Sequence, residues 1–213
     1  NVLTVKGTLS EKETIKRYVI AAGNIVYELD EKNLPKMKIT KADKGDSATV
    51  VLTFSEGAMM QPFSLPCGGL SLSQESISML DKIDVISSYI FSAQGSVKQW
   101  KYDVPSDFSK LEANKGYFLQ RKEKAQGDIV LSVTCAPPIA PPGSIQTFIQ
   151  PSLKTGWNLI GISGYEPIKV KTLSLPPYKK ISLAYAIDND GSDTTTSSVT
   201  ELQPGRAYWV RVE

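Results

Sequence analysis

The densest run of ligand oxygens in this chain is Asp188-Asn189-Asp190-Gly191-Ser192-Asp193, carboxylates and an amide gathered on one tight turn. Hard oxygen donors of this kind suit a calcium ion. Asp188, Asp190 and Asp193 are therefore candidate ligands, and calcium is the one cofactor the chain suggests. The match to an EF-hand loop is partial, because the glycine comes early and no glutamate closes the loop. An Asp-Gly step between strands is equally an ordinary hairpin turn, and both readings stand. Histidine is absent from all 213 residues. Its absence removes the commonest general base, the Ser-His-Asp and Cys-His arrangements, and the usual zinc and iron ligand sets. Glu75, Asp103, Asp107 and Glu201 are carboxylates that a glycoside-hydrolysing pair would need, but such a pair is recognised by its separation in space. Gly68-Gly69 has neither the further glycine nor the following lysine of a phosphate-cradling loop. The expectation is a protein that is not an enzyme, with no catalytic residues.

Cys67 and Cys135 are the only cysteines. Neither lies in a CxxC motif. If the strands that carry them lie side by side, they form a disulfide, and with it comes an extracellular or periplasmic address. The alternative is two buried thiols in a reducing compartment. Trp100, Trp157 and Trp209 invite a sugar-binding reading, with a cell-surface glycan as partner, since exposed aromatic faces stack on sugars. Tyr208 and Trp209 are neighbours in a strand and must point to opposite faces. Trp157 opens a strand whose alternation continues through Leu159, which places it in the core or at its rim. The competing reading takes Tyr117, Trp157, Tyr208 and Trp209 as structural aromatics that pack a small β core.

The frame that would position these residues is a repeat. Leu153-Lys154-Thr155-Gly156-Trp157-Asn158-Leu159-Ile160-Gly161-Ile162 leads to Leu202-Gln203-Pro204-Gly205-Arg206-Ala207-Tyr208-Trp209-Val210. Earlier in the chain, Phe63-Ser64-Leu65-Pro66 stands in the place of Ile160-Gly161-Ile162-Ser163, and Leu111 to Leu119 stands in the place of Leu202 to Val210. Between these ends, Val85, Tyr89 and Phe91 align with Ile181, Tyr185 and Ile187. Internal similarity of this period indicates a duplicated β module. A leucine, a turn and a tyrosine at the same step in both copies suggest that Tyr117 and Tyr208 do the same structural job.

The second copy resembles a module of secreted and cell-surface proteins of bacteria and archaea, with a GWNLI opening strand and a closing strand of the form L-x-x-G-x-G-Y-W-V. The resemblance covers residues 150–213 well and 58–135 loosely. Two departures are Met59-Met60-Gln61 in place of the opening Gly-Trp-Asn, and Ala207 in place of a glycine. What the resemblance implies is an all-β extracellular domain, often appended to larger proteins, with no catalytic residues to carry over.

The fold class expected is all-β: duplicated β-sandwich or barrel-like modules of short antiparallel strands, preceded by an N-terminal β segment. Residues 1–57 form that segment and share a core with the first repeat, 58–135. A run from Ala136 to Ser144 contains four prolines and reads as a semi-rigid spacer over 136–149, or else as an edge loop inside one domain. The second repeat follows over 150–213. Within the first, Ile77, Leu80 and Ile83 have the spacing of a short helix with Ser71 or Ser73 as N-cap. Residues 1–10 alternate as a half-buried strand, with Leu3, Val5, Gly7 and Leu9 on one face. Beginning at Asn1 with that pattern under way, the chain reads as a mature product whose leader was removed.

With 24 basic and 22 acidic side chains spread evenly, no segment is a basic patch, so nucleic acid is not an expected partner. No apolar run reaches the roughly 18–20 residues of a membrane-spanning helix. These observations lead to a non-catalytic extracellular structural protein, a homo-oligomer or polymer of the cell surface. In this reading residues 1–10 complete the sheet of a neighbouring subunit and build a filament or layer. The alternative function is a carbohydrate-binding or adhesin module.

Overall fold

A computed structural model describes residues 18–21, 24–29, 34–41, 48–68, 71–91, 97–102, 108–135, 153–164, 167–172, 180–189 and 194–213. The candidate assembly strand with Leu3, Val5, Gly7 and Leu9, the proline-rich run, and Asp190 and Asp193 lie outside these residues. The fold is all-β, with antiparallel sheets and, among the described residues, one short α-helix. No sheet order of the described strands closes into a barrel.

The first sheet contains β1 (Tyr18–Ala21), β2 (Asn24–Leu29), β3 (Lys36–Lys41) and β4 (Ala48–Phe54). Strict alternation explains β4: Ala48, Val50, Leu52 and Phe54 are buried while the residues between them are half-exposed. Met37 and Ile39 of β3 pair with Leu52 and Val50, so the apolar rows run across the sheet. The second sheet contains β5 (Met60–Ser64), β7 (Ile83–Phe91), β8 (Val97–Tyr102) and β9 (Gly116–Arg121), ordered β5-β9-β7-β8. Between β5 and β7 come the two-residue β6 (Ser71–Leu72) and helix α1 (Gln74–Met79). Strand β10 (Ile129–Cys135) closes the first repeat in sequence, yet it joins the first sheet, which is ordered β1-β2-β3-β4-β10-β6. One core therefore spans the N-terminal segment and the first repeat, from Leu29 to Cys135. Phe54 and Phe63 meet edge to face across it at 5.2 Å.

Helix α1 is capped by Ser73, whose hydroxyl accepts the Ser76 N–H. Leu80 and Ile83 are buried as their spacing suggests, but Ile77 is 44% exposed and Ser76 is buried in its place. The reason is a hydrogen bond: the Ser76 hydroxyl accepts the Ser132 N–H of β10 (2.6 Å) and donates to the Ser132 carbonyl (3.3 Å). A six-residue helix has too few apolar positions to override the need to satisfy that strand edge.

The second repeat contains β11 (Gly156–Ile160), β12 (Ile168–Lys169), β13 (Ile181–Asn189), β14 (Thr194–Ser198), β15 (Glu201–Leu202) and β16 (Tyr208–Val212). Its main sheet runs β11-β16-β13-β14, and β12 pairs with β15. This is the connectivity of β5-β9-β7-β8, so the duplication is visible in topology as well as in sequence. Phe63 pairs with Tyr117 as Ile160 pairs with Tyr208. Both middle strands shift register at the same place, between Ile83 and Val85 and between Ile181 and Leu183. Pairing thus equates Ile83 with Ile181, and hence Tyr89 with Ile187 rather than with Tyr185. The sequence alignment of Val85, Tyr89 and Phe91 is two residues out of step, because a two-residue slip keeps every side chain on its own face.

The layers follow from three apolar clusters. The first and second sheets enclose the large core; the second and third sheets meet through Phe118, Leu159, Ile187 and Ala207, with Tyr89 and Trp209 packed alongside. The far face of the third sheet carries Ile160, Ala184, Tyr208, Val210 and Val212, covered by Leu153, Ile162 and Leu202. Cys67 follows β5 and Cys135 ends β10, and a disulfide joins them. The bond therefore ties the connection between β5 and β6 to the end of β10; the strands that open and close the repeat lie in different sheets, not side by side as expected, because β10 pairs with β4.

Candidate functional site

The two repeats meet in a seam built from equivalent residues. Matching Tyr117 with Tyr208 sets Asn114 against Gly205; matching Phe63 with Ile160 sets Ser64 against Gly161. The Ser64 N–H donates to the Gly205 carbonyl (2.9 Å), and the Gly161 N–H donates to the Asn114 carbonyl (3.0 Å). Such reciprocity is the mark of an approximate two-fold axis. Asn114 and Gly205 both hold left-handed backbone, with φ of 70° and 86°, a conformation that asparagine and glycine tolerate best. The Asn114 side-chain oxygen also accepts the Ser163 N–H (2.9 Å), and the Gly164 N–H donates to the Pro66 carbonyl (2.7 Å). Ser64 and Gly161 face each other at the axis, where a Cβ on Gly161 would stand 2.1 Å from the Ser64 Cβ. Only a residue without a side chain fits there.

Each repeat braces its closing strand with a tyrosine. The Glu112 N–H donates to the Tyr117 hydroxyl and the Gln203 N–H donates to the Tyr208 hydroxyl, both at 2.6 Å and both across five residues. Each ring is buried, Tyr117 at 0% and Tyr208 at 1% exposure. The side-chain amides at the opening strands correspond as well. Asn158 donates to the Lys154 and Gly156 carbonyls, and Gln61 donates to those of Ser55 and Ala58.

Beyond the seam, the third sheet presents an aromatic surface. Pairing places Trp157, Arg211 and Leu183 in one cross-strand row, and Leu159, Trp209 and Tyr185 in the next. The second row packs toward the seam, where Trp209 meets Tyr89 at 5.4 Å between ring centroids. The outer row is open: Leu183 is 40% exposed, and the half-buried ring of Trp157 lies 5.8 Å from that of Tyr185. Arg211 and Lys180 reach Glu213 at 3.7 and 3.9 Å. These exposed pairs add little stability and leave a charged rim. On the second sheet the equivalent outer row is Met60, Gln120 and Val85, with Met60 40% exposed.

The residues singled out from sequence thus separate. Tyr208 faces its module's own core, Trp209 the seam, and Trp157 the rim. The side chain of Trp100 lies outside the described residues. Asp188 sits on β13 with its backbone paired to Thr195, and its two companion acids are not described. Among the described residues no group of three or more His, Cys, Asp or Glu side chains is placed to hold a metal. Glu75 is exposed in the first turn of α1, and Glu201 is half-buried on β15. Asp103 and Asp107 lie outside the described residues.

Sequence reasoning missed Asn114, Ser64, Tyr185 and Leu183. It also missed Arg121, a 2% exposed guanidinium that donates to the carbonyls of Phe54, Ser55, Ala125 and Gly127. The available signal was period-two alternation from Tyr117 through Leu119, which puts Arg121 on the inner face. Comparison with protein-family models, curated proteins and solved structures found no match.

Proposed function

We propose that this protein is a non-catalytic extracellular structural subunit that assembles through β-strand addition into a cell-surface filament or layer. The observation that carries this reading is the pattern of open and closed sheet edges. On the β5 edge, Pro62 has no N–H to offer and the Ser64 N–H is taken by Gly205. Beside β10, Ser73 and Ser76 occupy the backbone groups of Ser132. By contrast β1, β8 and β14 each end a sheet with one neighbouring strand among the described residues. An edge of this kind accepts an added strand through main-chain hydrogen bonds, with alternate side chains setting the register. Residues 1–10 are the donor in this reading: Leu3, Val5 and Leu9 enter the acceptor groove, and Gly7 sits where it is tightest. The Cys67–Cys135 disulfide is compatible with the oxidising exterior this requires, as is the resemblance of residues 150–213 to modules of secreted proteins.

Removing residues 1–10 tests the assignment. The shortened chain remains folded and monomeric, and a synthetic peptide of that sequence binds it. If the shortened chain unfolds while the intact protein stays monomeric at high concentration, the strand belongs to its own sheet and the reading fails. A second reading, a glycan-binding module, is favoured by the half-buried Trp157 and Tyr185 pair beside Arg211. Loss of retention on a glycan array in Trp157→Ala would establish it.

A further inference from the structure

We propose that the Cys67–Cys135 disulfide is a redox-dependent clamp on the seam: oxidised, it holds the strip on which the second repeat docks, and its reduction lets the second repeat lift away with both cores intact. The clamp acts within one chain and needs no second copy. The strip is Ser64-Leu65-Pro66-Cys67. The β5–β9 ladder ends with the pair of Ser64 and Gly116, and pairing resumes at Ser71, which with Leu72 joins β10. Between these points the chain is held by the buried Leu65 and by the bond from Cys67 to Cys135. Cys135 is itself fixed opposite Ala48 on β4. Pro66, the residue before the bridged cysteine, has no N–H, and its carbonyl accepts the Gly164 N–H at 2.7 Å. The place of that acceptor is thus set by a covalent anchor one residue away.

Matching Ser64 with Gly161 sets Cys67 against Gly164, so the two strips end differently: the first is fixed covalently, and the second has no cysteine. The second strip instead takes its place from the first repeat. Its Gly161 and Ser163 N–H groups donate to the Asn114 carbonyl and side-chain oxygen, at 3.0 and 2.9 Å, and its Gly164 N–H donates to Pro66. The apolar contact across the seam is small: Phe118, Leu159, Ile187 and Ala207, with Tyr89 and Trp209 alongside. The larger clusters lie to either side, one shared by the N-terminal segment and the first repeat, the other within the second repeat. Separate cores allow the seam to open without unfolding either one. Reduction by a dithiol moves two electrons: the reductant closes its own disulfide, Cys67 and Cys135 become thiols, and the two protons pass from one pair of sulfurs to the other.

Amide hydrogen exchange of the full chain, followed by mass spectrometry with and without dithiothreitol, tests the clamp. Reduction accelerates exchange in residues 161–164 by about tenfold or more, while β10 and β16 each change by less than about twofold. Cys67→Ser combined with Cys135→Ser reproduces the effect without reductant. Equal exchange of 161–164 in the two states would overturn the proposal. So would a loss of protection in β10 as large as that in 161–164, which would make the bond a general staple of the first module. Linkage supplies a second measurement, because a bond that holds the seam closed is held oxidised by the closed seam to the same factor. Gly161→Ala, which drives a Cβ into Ser64, opens the seam with both cysteines in place. In an equilibrium titration with reduced and oxidised dithiothreitol, its bond is reduced at a lower ratio of the two than the parent's. An unchanged midpoint overturns the clamp even where the reduced chain fails to fold.

Discussion

Tyr208→Phe is the most discriminating single change in this protein. The ring is 1% exposed among Ile160, Val210 and Leu202, and its hydroxyl accepts the Gln203 N–H at 2.6 Å. Phenylalanine keeps the packing and leaves that N–H without its acceptor, a loss of about 1–2 kcal/mol. Tyr208→Ala removes the ring as well and costs about 3–5 kcal/mol, so the difference between the two variants isolates the packing. Tyr117→Phe should match Tyr208→Phe, because the Tyr117 hydroxyl accepts the Glu112 N–H at the same distance. Urea unfolding at constant m-value measures all of these. If Tyr208→Phe lies within about 0.5 kcal/mol of the parent, as surface substitutions do, the hydroxyl braces nothing and the equivalence of the two tyrosines fails.

Other predictions come from the same geometry. Gly161→Ala forces a Cβ onto Ser64 and costs about 1–3 kcal/mol by overpacking. Gly57→Ala, which meets nothing within 4 Å, is the control; failure of Ser64→Gly to rescue Gly161→Ala in thermal melts would dismiss the contact. Arg121→Met strips the charged donor from four carbonyls and costs about 3 kcal/mol or more; unchanged urea stability would show that water replaces the guanidinium. Reducing the Cys67–Cys135 bond, whose sequence separation is 68, removes about 4 kcal/mol in the chain-entropy model. Equal melting temperatures with and without reductant would contradict this.

Legibility in the sequence followed the range of each interaction. The tyrosine brace spans five residues, so its leucine, turn and tyrosine stay at a fixed step in both copies and can be read directly. Strand faces are legible for the same reason: Val50, Leu52 and Phe54 alternate whatever they pack against. The register of β7 against β13 was not, since a two-residue slip leaves the alternation unchanged and the equivalent bulges that set it depend on β9 and β16. Ile77 was misplaced because helical spacing counts apolar residues and cannot see that β10 needs the Ser76 hydroxyl.

The sequence by itself determined the all-β class, the duplication and the absence of any histidine-based chemistry. All three depend on composition or on spacing within a few residues. Tertiary structure alone decided that β10 crosses to the first sheet, that the disulfide consequently ties the β5–β6 connection to the end of β10, and that the repeats embrace about a two-fold axis. It also decided which tryptophan is spent in the seam and which is left at the rim. The physical reason is that these features arise from pairings between residues far apart in the chain. Ser64 contacts Gly205, and Arg121 contacts Phe54. Neither partner carries a local mark of the other, because each contact ends on a backbone carbonyl that every residue possesses.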